Sequence, residues 1–130
     1  APLTGRDPCL PKCIYGYLNN PLLQEQLSFL PLATCFDYAD APAEYRAELS
    51  WTKIVRQRFG AQSLPHWRVL RSYTEASIAA KKHKRPLRVT STEARRLHAA
   101  LAYIDRNRSQ LWSKELKPWR ATIAKLISGL

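Results

Sequence analysis

Apolar residues recur at helical spacing through most of this chain, and prolines and glycines cut the pattern into segments. Ala94, Leu97, Ala100, Leu101 and Ile104 form the cleanest stripe, and Thr90 with Glu93 ahead of them fits a capping box. Upstream, Ser63 and Pro65 open a segment with two adjacent apolar rows. One row holds Trp67, Leu70 and Ile78; the other holds Val69, Tyr73, Ala76 and Ala80. Only a narrow arc with Arg68, Arg71 and Glu75 stays polar, so this helix is expected to be the most buried. Before it, Pro42, with Asp40 nearby as cap, opens a helix whose stripe is Ala47, Trp51, Ile54 and Val55. Phe59 flanks that stripe and Gly60 stops it. At the far end Pro118 begins a helix that aligns Trp119, Ile123, Leu126, Ile127 and Leu130.

The start of the chain reads differently. Residues 1–20 carry Pro2, Pro8 and Pro11 with Gly5 and Gly16, which favours extended or turning chain. Asn20-Pro21 then fits an N-cap with proline at the first helical position. Leu22, Leu23, Leu27 and Leu30 make a short helix that Pro31 ends, with a loop over 32–40. The fold class expected is all-α: about five helices in a small irregular bundle, with an extended Pro-rich N-terminal arm. The arm spans 1–40 and the basic helical domain 41–130. At 130 residues and 45% apolar, the chain is large enough for a real core. The longest apolar run, from Leu27 to Phe36, is broken by Ser28, Pro31 and Thr34, so no transmembrane segment is expected. The chain begins at Ala1 and has no Met, from which a processed start is expected; no signal-peptide pattern precedes the first helix.

Charge divides the chain more sharply than hydropathy does. Residues 1–50 hold three Lys/Arg against six Asp/Glu, a net of −3. Residues 51–130 hold eighteen against four, a net of +14. The densest cluster is Lys81, Lys82, Lys84, Arg85 and Arg88, around His83 and Pro86, and Arg95 and Arg96 follow one turn into the next helix. Like charge at this density is costly unless something offsets it, so these seven residues are expected to meet an anionic partner. RNA, anionic lipid and an acidic protein surface all fit that description.

Other candidate chemistry is sparser. Cys9, Cys13 and Cys35 with one histidine are the only candidate zinc ligands, yet there is no second Cys pair and no His-x₃₋₅-His. A Cys13–Cys35 disulfide is the alternative in an oxidising compartment, and buried free thiols are the preferred reading. Asp37 and Asp40 lie three apart in the expected loop and suit turn and cap roles. There is no Gly-rich phosphate cradle, Gly-x-Ser-x-Gly or His-Glu-x-x-His, and no enzymatic activity is expected. Trp67-Arg68 and Trp119-Arg120 set a ring beside a cation, but Trp51, Trp67 and Trp119 all fall on apolar faces and read as core. Trp112, in the Ser109–Lys117 connector, is the expected interface anchor.

These features point to a non-catalytic structural subunit with no cofactor and no small-molecule substrate. Its partners would be other protein subunits of a large assembly, with anionic lipid as a further one. A mitochondrial respiratory-chain or ATP-synthase complex, in the matrix or at the inner membrane, is the expected setting. The alternative is a ribosomal protein, mitoribosomal by preference, whose 81–96 region lies on rRNA.

Overall fold

The structure is a computed structural model that describes residues 2–14 and 24–128. Among the described residues there are seven α-helices and no strand, so the fold is all-α. They are α1 (Leu10–Cys13), α2 (Glu25–Asp40), α3 (Ala47–Phe59), α4 (Leu64–Lys82), α5 (Ser91–Arg106), α6 (Leu111–Glu115) and α7 (Lys117–Ser128). The expected cap at Asn20-Pro21, and Leu22, Leu23 and Leu130, lie outside the described residues. The chain divides into two units, 1–61 and 62–130. The division falls after α3 rather than after residue 40, because α2 packs on α3 instead of extending away from it.

In the first unit α2 runs straight through Pro31, where the sequence suggests a stop. A proline there removes one backbone hydrogen bond and crowds the preceding turn. The buried row Leu27, Leu30, Thr34 and Tyr38 continues across it, and its packing outweighs the local cost. Two hydroxyls take up carbonyls near the break: Thr34 Oγ1 donates to Pro31 O at 2.8 Å and Ser28 Oγ to Gln24 O at 2.8 Å. Asp37 and Asp40 therefore sit on a helix, not in a loop. Pro42 lies in the following turn, and α3 begins only at Ala47. Trp51, Ile54, Val55 and Phe59 face the core as expected, and Gly60, at φ +85°, ends the helix.

The segment before α1 is irregular, as its prolines suggest, but it is not a free arm. Leu3 N donates to Thr34 Oγ1 at 3.1 Å, and Tyr45 Oη donates to Leu3 O at 2.8 Å. Tyr38 Oη donates to Asp7 O, and the Tyr38 and Tyr45 rings meet edge to face at 5.5 Å. The backbone N–H and carbonyl of Leu3 and the carbonyl of Asp7 are thus answered by side chains of their own unit.

The second unit is built around α5. Ala94, Leu97, Ala100, Leu101 and Ile104 are all buried, and the Thr90–Glu93 capping box forms in both directions. Both α4 and α7 pack on α5. α4 is not the most buried helix: Trp67 and Leu70 are covered, but Ile78 is 63% exposed and Ala76 is exposed. Its second half reaches beyond what α5 covers. Ser113 Oγ donates to Ile104 O at 2.8 Å and ties α6 to the end of α5. Ile123 is fully buried, and Arg120 grips Asp105 with two bonds of 2.6 and 2.9 Å.

Candidate functional site

The basic cluster straddles the α4–α5 connection. Lys81 and Lys82 close α4, where cations suit the negative end of the helix dipole. Lys84, Arg85 and Arg88 lie on the loop, and Arg95 and Arg96 on the second turn of α5. All seven are exposed. The loop itself is fixed at both ends. His83 N donates to Ala79 O at 3.0 Å, Arg85 N to Ala80 O at 2.9 Å, and Lys84 takes the left-handed conformation at φ +51°. At the other end Thr90 N and Thr90 Oγ1 donate to Glu93 Oε2 at 2.8 and 2.6 Å. Those bonds, the hydroxyl's first, hold the Glu93 carboxyl below the usual carboxylate range.

Between α4, this loop and α5 lies a cleft of about 320 Å³. Arg68 reaches its wall from α4, Arg88 from the loop and Arg96 from α5. Val69, Leu87, Val89 and Leu97 supply an apolar lining, with Tyr73 and Ser72 adding hydroxyls. Burial holds the Tyr73 phenol above its ordinary value, so it remains a donor. In sequence, Arg88 and Arg96 belong to the cationic cluster, whereas Arg68 lies on a polar arc with Arg71 and Glu75. The spacing of Arg68, Ser72 and Ala76 at four-residue steps was the available signal, and only the packing of α4 on α5 turns that row toward the loop.

The other expected site residues are placed elsewhere. Trp112 is not a projecting anchor: it lies on α6, 9% exposed, stacked on Tyr103 at 5.6 Å and tilted against Trp67 at 5.5 Å. A connector that folds into a helical turn under α5 gives that ring a core to enter. Trp51 and Trp67 are core as expected, whereas Trp119 is half-buried. Cys9, Cys13 and Cys35 are free thiols, but Cys9 and Cys13 are exposed rather than buried. Among the described residues no three metal-ligating side chains cluster.

The carboxylates are largely engaged in structure. Asp37 accepts from Ser50 Oγ at 2.7 Å and lies 3.8 Å from Lys53 Nζ. Asp7 Oδ1 accepts from Cys9 N at 2.7 Å, and Glu75 pairs with Arg71 at 2.8 Å. Arg120 holds the Asp105 carboxyl below the carboxylate range, chiefly through its hydrogen bonds.

α2 has a second apolar face. Phe29 and Phe36 stand two turns apart, opposite the buried row Leu27, Leu30, Thr34 and Tyr38, and are 45% and 71% exposed. Arg58 covers part of Phe29, with its guanidinium 5.2 Å from the ring centre.

The model of the beta-N-acetylglucosaminidase family matches residues 1–72. The chain belongs to this family. The matched stretch takes in the whole first unit and runs on into α4. No curated protein and no solved structure matches the chain.

Proposed function

We propose that this chain is a non-catalytic helical part of a β-N-acetylglucosaminidase, and that α2 docks it on the protein that carries the catalytic groups. The family match over the first unit carries the reading. Glycoside hydrolysis ordinarily uses two carboxyl groups set about 5–9.5 Å apart across the scissile bond. In this chain Asp37, Glu75, Glu93 and Asp105 are each bound to a neighbouring side chain or cap. That supports a framework role for them. The face of α2 bearing Phe29 and Phe36 supports a protein partner, because exposed aromatic area of this kind is what an interface covers. This reading keeps the docking role expected from the sequence. It puts a glycosidase in place of a mitochondrial or ribosomal assembly, because the family match names a chemistry and charge with helicity names none.

The test is activity on a fluorogenic aryl β-N-acetylglucosaminide. Native material containing the chain should hydrolyse it, and the activity should co-elute with the chain. The purified chain alone should give background rates. Phe36→Asp should lower the co-eluting activity at least tenfold while leaving the helical spectrum intact. Turnover by the isolated chain would overturn the non-catalytic assignment, and undiminished co-elution of the Phe36→Asp protein would overturn α2 as the docking face.

A further inference from the structure

The cleft beside the basic loop has the features of a binding site, and no part of the glycosidase reading uses it. Its volume, about 320 Å³, falls at the lower end of small-ligand pockets, which run from about 300 to 1,000 Å³. Three arginines line it from three separate segments: Arg68, Arg88 and Arg96. None of the three makes a hydrogen bond or close ion pair to another described residue, and only Arg96 has a carboxylate, Glu93, within reach of its charge. The one carboxylate in the lining, Glu93, is turned to Thr90 N and Oγ1. The lining therefore carries three cations against one acid that is already occupied.

The walls are also built in advance. Leu87, Arg88 and Val89 sit between two fixed points, the Arg85 N to Ala80 O bond and the Thr90–Glu93 capping box. Only four residues separate Arg85 from Thr90, and Pro86 restricts the first of them. Little ordering remains to be done when a ligand enters, which favours affinity.

We propose that this cleft binds a small organic phosphate ester, its phosphoryl group held by Arg68, Arg88 and Arg96 and its body against Val69, Leu87 and Val89. Guanidinium groups match phosphate oxygens in paired hydrogen bonds, and three of them from different directions suit a dianion. The apolar walls and the Tyr73 ring give the ester's organic part a place that inorganic phosphate would leave empty. A long polyanion would instead follow the exposed row from Lys81 to Arg85, outside the walled space.

Titration calorimetry on the full chain at 0.15 M salt tests this, with phenyl phosphate, inorganic phosphate and phenol as probes. Phenyl phosphate should bind one to one, inorganic phosphate at least tenfold more weakly, and phenol not at all. Arg68→Gln, Arg88→Gln and Arg96→Gln should each weaken phenyl phosphate at least tenfold. Lys81→Gln and Arg95→Gln, equal in charge change but outside the lining, should alter it less than twofold. Amide shifts in the unaltered protein should centre on residues 68–76 and 87–97, a readout that does not depend on how the variants fold. No saturable binding of phenyl phosphate would overturn the proposal. So would equal losses in the Lys81 and Arg95 variants, or shifts confined to 81–85, since either would mean a diffuse basic field. Binding of an RNA oligomer with phenyl phosphate silent would overturn it too.

Discussion

Thr34 and His66 each place a polar group inside the protein, with different consequences. Thr34 is fully buried and its hydroxyl serves two backbone groups, donating to Pro31 O and accepting from Leu3 N. One side chain thus bonds the helix backbone beside Pro31 and secures the segment before α1. His66 is half-buried and stacks on Tyr103 with ring centres 4.5 Å apart. Burial first, and the Arg106 charge second, hold its imidazole below the ordinary value. The folded chain therefore prefers neutral His66, while the unfolded chain takes up a proton near pH 6.5. Stability from this residue is complete above that pH and is lost as pH falls through it. Melting temperature should hold steady near pH 7.5 and decline as pH falls below about 6.5. In His66→Gln that part of the decline should flatten, and an unchanged slope would show that other groups set it.

At the scale of elements, α4 separates hydrophobic pattern from burial. Leu70 and Ile78 lie on one apolar row of the same helix, yet Leu70 is 3% exposed and Ile78 63%. Truncating Leu70 removes packed atoms and leaves a cavity, so Leu70→Ala should cost about 2–5 kcal/mol. Ile78→Ala trades one exposed side chain for a better helix former and should stay within about 0.5 kcal/mol. Denaturant melts of the two variants check this. A large loss at Ile78 would mean that α4 is covered over its whole length in solution. The same distinction explains α2, where a row continuing past Pro31 decided the helix and the proline did not.

The whole molecule is lopsided in charge, and the boundary follows the units. Unit 1–61 holds six Lys/Arg and six Asp/Glu, while unit 62–130 holds fifteen against four. The full +11 thus belongs to the second unit. Because Lys82, Lys84 and Arg85 are exposed, reversing all three to Glu should leave the melting temperature within a few degrees. Retention on heparin resin should fall well below that of the original protein. The difference should shrink in high salt, since charges farther apart than about 8 Å are screened at physiological ionic strength. Unaltered retention would show that the loop is merely solvated, and a collapse in melting temperature would make it a stability element.

Local chemistry was legible in the sequence wherever one segment decided its own fate. The α5 stripe and its Thr90–Glu93 cap, the Gly60 stop and the absence of strands among the described residues all followed from spacing and side-chain type. The cationic cluster was legible because exposed like charges are close in sequence. What the sequence left undecided needed a second surface. Pro31 stayed inside a helix because the row on either side of it is buried, and Trp112 went inward because Tyr103 and Trp67 offered it a place. Arg68 joined Arg88 and Arg96 only when α4 lay against α5. A hydrophobic period gives the face a helix would bury, but the neighbour's position and reach decide how much of that face is covered, and those are properties of the packed chain alone.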